Sequence, residues 1–269
     1  MDSALRIEAV ISVRDSQPLP LMAEVERRYV DHFGADPEDK GGWYQPDVWK
    51  RISRVFERLD KGGHVLDVGT GAGQFVNALA LSGEFRSVTT IDPTRFNKYI
   101  ELSDQIVRHD MSIAAMEFGD DSFDVVTCME VLEHLPEDVF AAAIEELRRV
   151  CRGQLVITVP YREPPPLAAT HVRRFEDSDF IELFPRAQFW LLHRPPKPWI
   201  LIEERPNTTS SPRIEELTEE ISELRSHVAS LESIIAKLKG RKVIRLANWA
   251  GRTVRSMTAK STGGAGPSG

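Results

Sequence analysis

The chain has 269 residues, a formal net charge of −7 and two cysteines, enough for one core of roughly 200 residues and a smaller appendage. An acidic balance speaks against a general polyanion binder. No apolar run reaches the roughly 18 residues that span a bilayer, and Met1-Asp2-Ser3 lacks the basic-then-apolar form of a signal peptide, so a cytoplasmic protein with reduced thiols at Cys128 and Cys151 is expected.

Apolar residues recur at three and four from Leu19 to Phe33 and from Asp47 to Leu59, the spacing of two amphipathic helices. A Gly-Gly-Trp-Tyr loop at 41–44 lies between them, and residues 1–44 read as an N-terminal helical cap. Strands are predicted at 64–68, 87–91, 105–109, 123–129, 154–159, 187–193 and 198–203, with helical spacing resuming from Gln74 to Leu81. Alternating strands and helices call for a mainly parallel sheet covered on both faces. Only Arg194-Pro195-Pro196-Lys197 separates the last two strands, too short for a helical crossover, so they form an antiparallel hairpin. About a dozen residues separate Asp92 from the third strand, which makes that crossover unusually short.

The ten residues His64 to Gly73, HVLDVGTGAG, join a buried strand to a glycine-rich turn and the start of a helix. Such a turn brings backbone close to a nucleotide-like ligand. A dinucleotide fingerprint wants a further glycine or alanine where Gln74 stands. Asp67 at the strand end repels a pyrophosphate and suits a cation. With these features the stretch resembles the first motif of the class I S-adenosylmethionine-dependent methyltransferases, whose ligand carries an ammonium and a sulfonium.

The resemblance covers residues 45–204. It implies a Rossmann-like α/β fold with a seven-stranded, mainly parallel sheet whose last strand is antiparallel, and S-adenosyl-L-methionine as cofactor. Asp67, Gly69, Gly71 and Gly73 then form the cofactor turn. Asp92 ends the second strand, where a carboxylate accepts hydrogen bonds from both ribose hydroxyls. The resemblance places Asp110 on the adenine amino group, Met111 over the ring, and Met129 and Glu130 beside the methionine part.

Chemistry is expected just after the fourth strand, in Glu130-Val131-Leu132-Glu133-His134. If this segment is helical, residues at i, i+3 and i+4 share one face. Two carboxylates and an imidazole there hold a divalent metal such as Mg²⁺, or form a base with its orienting acid. Glu-x-x-Glu-His resembles the metal motif of small-RNA 2′-O-methyltransferases and of quinone-pathway O-methyltransferases. The candidate metal ligands are Glu130, Glu133, His134 and His171, and the candidate catalytic residues His134 and Glu133. The plainer alternative gives His134 a substrate contact or a helix cap.

The chain lacks the Asn/Asp-Pro-Pro-Tyr signature of an amino acceptor, so the expected reaction is O-methylation of a small-molecule, lipid-linked or glycan hydroxyl. RNA 2′-O-methylation with a metal site is an alternative, although the net charge makes nucleic acid an unexpected partner. A second alternative is an inactive scaffold that recruits partners.

Past Arg205 the composition changes through a linker at 205–213. Ile214, Leu217, Ile221, Leu224, Val228, Leu231, Ile235 and Leu238 then follow at alternating intervals of three and four, with β-branched residues at a and leucine at d, the pattern of a parallel two-stranded coiled coil. A homodimer through residues 214–239 is expected. Residues 240–269 form a basic amphipathic tail with six lysines and arginines and no acids from Gly240 to Lys260. That composition suits peripheral contact with the inner membrane face through 240–260, and the glycine-rich end reads as disordered.

Overall fold

A computed structural model describes residues 5–13, 16–34, 46–193 and 198–206. The 41–44 loop, the coiled coil at 214–239, the tail at 240–269 and most of the 205–213 linker lie outside the described residues. No helix among the described residues is long and apolar enough to cross a membrane.

In chain order the elements are β1 (Ala9–Ser12), α1 (Pro20–Phe33), α2 (Pro46–Arg58), β2 (His64–Val68), α3 (Gln74–Ser82), β3 (Ser87–Ile91) and β4 (Ile106–His109). They continue with β5 (Phe123–Met129), a single 3-10 turn at Leu132–His134, α4 (Glu137–Val150), β6 (Cys151–Pro160), α5 (Asp177–Leu183), β7 (Gln188–His193) and β8 (Trp199–Glu204). Proline at the first position of α1 costs nothing because its missing N–H has no intrahelical partner. Glycines in left-handed backbone flank α3, Gly73 before it and Gly83 after it.

All the strands form one sheet in the order β1-β7-β8-β6-β5-β2-β3-β4. β8 runs antiparallel to both of its neighbours, β6 and β7, and the other pairings are parallel. The Rossmann-like sheet with an antiparallel last strand is therefore present, but among the described residues it has eight strands where seven were expected. The additional strand is β1, which lies in the segment expected to be an N-terminal helical cap and pairs with β7 from Ala9 opposite Trp190 to Ser12 opposite His193. The β3–β4 connection carries no helix, in keeping with its length.

Successive strand residues feed opposite faces, as the pleat requires. Val65, Val88, Val125 and Val156 face the layer of α1, α2 and α3, where Met22, Val25, Tyr29, Trp49, Val76 and Leu79 are buried. Leu66, Val126, Leu155 and Ile157 face α4 and α5, packing with Phe140, Ile144, Leu147 and Phe180. Cys128 and Cys151 are free and buried in this second layer.

Candidate functional site

β2, β3 and β5 are neighbouring parallel strands, so their carboxyl ends open into one crevice, the usual ligand position in such a sheet. The crevice has a volume of about 450 Å³, and Gly69, Gly71, Asp92, Met111, Glu130 and His134 are among its lining residues.

The glycine turn is held from several sides. The Gly69 N–H donates to the carbonyl of Ile91 at 2.9 Å. Gly69 has φ +83° and passes Val131 so closely that a Cβ would stand 2.2 Å from Val131 Cγ2. Gly73 has φ +85°, and a Cβ there would lie 2.9 Å from the Tyr99 ring and 3.0 Å from the Tyr29 hydroxyl. Only glycine meets both demands. The Tyr29 hydroxyl donates to Ala72 O at 2.5 Å and accepts from Asn77 Nδ2 at 3.0 Å, and Asn77 also donates to the carbonyls of Gly73 and Ile100.

Asp92 stands at the end of β3, where the Gly71 N–H donates to its Oδ2 at 3.1 Å. Its Oδ1 accepts from the Thr94 N–H at 2.9 Å and the Thr94 hydroxyl at 3.1 Å. Asp67 is only 3% exposed and is not among the residues lining the crevice. Its Oδ1 accepts from the Thr127 hydroxyl at 2.8 Å. Burial raises its carboxyl to about 7, against the opposing pull of that hydrogen bond.

Met111 lines the crevice and Asp110 does not. The Asp110 side chain is exposed and pairs with Arg108, which also donates to the Thr94 carbonyl. Met129 packs against the core on the α1–α3 face.

The Glu130–His134 segment departs from the expected helical face. Only Leu132–His134 makes a 3-10 turn, and Glu130 precedes it with φ +56°. That backbone sends the Glu130 carboxylate to the Thr158 hydroxyl at 3.1 Å and the Arg51 guanidinium at 2.8 Å. Arg51 in turn lies over the Trp199 ring, 4.8 Å from its centroid. Glu130 is thus withdrawn from the expected metal set.

Glu133, His134 and His171 do come together, with one potential ligand atom from each lying within 4.8 Å of the others. Glu133 is 1% exposed, and neither of its carboxylate oxygens has a hydrogen-bond partner. Burial, and then the nearby Glu130, pushes its carboxyl well above the usual range. The 163–173 loop closes on this turn, since the Val172 and Arg173 N–H groups donate to the Glu133 carbonyl at 2.9 and 3.2 Å. His134 Nδ1 lies 2.9 Å from the Thr170 carbonyl and His171 Nδ1 lies 2.5 Å from Glu163 Oε2. A carbonyl only accepts, so His134 Nδ1 carries the hydrogen.

Tyr29, Asn77, Arg51 and Glu163 were not singled out in the sequence. Asn77 had a visible signal, a lone amide among the apolar residues of α3. Tyr29 and Arg51 sit in amphipathic helices where nothing marks a site residue, and Glu163 lies in an irregular loop.

A family model described as a methyltransferase domain matches residues 42–204. The ubiquinone biosynthesis O-methyltransferase of Pseudomonas paraeruginosa is 33% identical over 124 residues, 42% of this chain and 52% of that protein. The protein of the same description from Xanthomonas oryzae pv. oryzae is 36% identical over 131 residues, 44% of this chain and 52% of its own. This chain thus spans about half the length of the curated relatives it matches. The solved 1,6-didemethyltoxoflavin-N1-methyltransferase of Burkholderia thailandensis, with 1,6-didemethyltoxoflavin and S-adenosylhomocysteine bound, shares the fold. Its TM-score is 0.53 at 17% identity, over 71% of this chain and 92% of that one. A glycine turn, an acid at the end of β3 bonded to it and the family match over 42–204 lead to one assignment: the chain belongs to the S-adenosylmethionine-dependent methyltransferase family.

Proposed function

We propose that this chain transfers a methyl group from S-adenosylmethionine to a hydroxyl oxygen of a small-molecule, lipid-linked or glycan acceptor. The observation that carries the oxygen acceptor is the Glu133, His134 and His171 cluster, with His134 lining the same crevice as Asp92. The residues present fit the cofactor. Gly69 and Gly71 carry no side chain into the crevice, Asp92 presents a carboxylate to it that suits ribose hydroxyls, and Met111 and Ile113 add apolar lining that suits a purine. Glu130, which lines the crevice while paired with Arg51, offers a carboxylate to the ammonium of an amino acid. Bound there, the cofactor supplies an electrophilic methyl on a sulfonium, and the carbon–sulfur bonding pair leaves with sulfur. The protein's task is to align the acceptor oxygen with that bond and to take up the hydroxyl proton.

The same proposal includes a divalent cation, Mg²⁺ or Mn²⁺, held by Glu133, His134 and His171. Two features fit it: the buried Glu133 carboxylate without a hydrogen-bond partner, and two imidazoles whose Nδ1 atoms are already engaged, as metal-bound histidines usually are. A bound cation supplies Lewis acidity that lowers the pKa of a coordinated hydroxyl.

The test is transfer of labelled methyl from S-adenosylmethionine into lipid, glycan, small-molecule and RNA fractions, before and after thorough chelation. Label in an oxygen ether that disappears on chelation and returns with Mg²⁺ or Mn²⁺ supports the proposal. Label on nitrogen or carbon overturns the acceptor assignment, and turnover undiminished by chelation removes the cation. Dimerisation through 214–239 and membrane contact through 240–260 extend the proposal on sequence pattern alone, and light scattering and liposome flotation of chains truncated after residue 206 test them.

A further inference from the structure

We infer that Glu163 is a positioning residue for the cation site, fixing the tautomer and ring direction of His171. The inference rests on the cation reading proposed above.

Glu163 is 3% exposed. Its Oε1 accepts from the Ala168 N–H at 3.2 Å and its Oε2 lies 2.5 Å from His171 Nδ1. A buried carboxylate needs donors on its oxygens, and these two contacts supply them when Nδ1 carries the hydrogen. His171 is then the Nδ1–H tautomer, and Nε2 is the nitrogen left with a free lone pair. The Thr170 carbonyl imposes the same tautomer on His134. The two rings stand nearly perpendicular, at 79° with centroids 4.8 Å apart, beside the Glu133 carboxylate. Each imidazole therefore offers one lone pair and has its other nitrogen occupied.

The two supports differ in kind. A neutral carbonyl orients His134, whereas a buried anion orients His171 and makes its free nitrogen a better donor to a cation. Glu130 does not orient either imidazole, because it is committed to Arg51 and Thr158. The carboxylate in direct contact with an imidazole is that of Glu163, thirty-three residues further along the chain, which touches His171.

The experiment is titration of the full-length, chelator-stripped protein with Co²⁺, followed by visible absorption and calorimetry, for wild type, Glu163→Gln, Glu163→Asp and His171→Ala. S-Adenosylhomocysteine affinity and melting temperature are measured alongside. Glu163→Gln keeps the side chain's size and removes its charge. The expected result is Co²⁺ affinity lowered 10- to 100-fold with S-adenosylhomocysteine affinity unchanged. If Glu163→Gln does not fold, Glu163→Asp, whose shorter side chain draws the carboxylate away from Nδ1, reads the same quantity and is expected to weaken Co²⁺ binding. Co²⁺ binding by wild type that is lost in His171→Ala but equal in the Glu163 variants overturns this inference and leaves the cation reading standing. No Co²⁺ binding by wild type overturns both.

Discussion

The Tyr29 hydroxyl donates to the Ala72 carbonyl across 43 residues of chain, so α1 props the glycine turn from behind. Tyr29 has no exposed surface, and burial pushes its phenol above its ordinary range, which keeps the donor in place. Tyr29→Phe keeps the ring packing and removes two hydrogen bonds, the one given to Ala72 and the one accepted from Asn77, each worth about 1 kcal/mol. S-Adenosylhomocysteine binding measured by calorimetry should weaken about fivefold. Unchanged affinity would show that the turn holds its shape unaided.

Gly69→Ala brings a methyl group against Val131 Cγ2 and places it on a backbone with φ +83°. The positive φ alone costs roughly 1–2 kcal/mol, and the collision adds to it. Chemical denaturation should show a loss above that figure. Adding Val131→Ala should recover the collision part and leave the backbone part, which a double-mutant cycle separates. Additive effects of the two substitutions would refute direct contact.

The two acids beyond the strand ends should separate. Asp92→Ala removes the carboxylate that lines the crevice and should weaken S-adenosylhomocysteine binding by at least tenfold, the value of about one charge-assisted hydrogen bond. Asp110→Ala removes an exposed group paired with Arg108 and should change affinity by less than about twofold. An equal loss in both would return Asp110 to the adenine.

Asp67 gives the fold a pH dependence. Burial raises its carboxyl from 3.8 to about 7, so the unfolded chain ionises first as pH rises. Between those two values the native state loses stability, at up to about 1.4 kcal/mol per pH unit, and above the upper one the loss is complete. Asp67→Asn keeps an acceptor for Thr127 and removes the charge. The stability of Asp67→Asn relative to wild type should therefore be greater at pH 8 than at pH 4.5 in urea denaturation. A difference that stays constant with pH would contradict this environment for Asp67.

What was legible in the chain was what is encoded locally. The β2 strand, its glycine turn and α3 announce themselves within twenty residues, and Asp92 follows from its place at the next strand end. β1 was not visible, because Ala9–Ser12 is too short to show a period and becomes a strand only by pairing with β7. Glu130 misled because its φ of +56° breaks the helical phase that Glu-x-x-Glu-His suggests. Glu163 gave no sign because its meaning is a contact with His171 that the loop alone creates.

The β1–β7 pairing joins residues about 180 positions apart. During synthesis, β1 must wait until β7, its one neighbour among the described strands, has been made. Loop-closure entropy is then met by contacts formed late, so this edge of the sheet assembles last, after the half that carries the glycine turn and Asp92. A nascent chain halted before residue 188 would therefore hold every residue that lines the crevice and lack the strand on which β1 pairs.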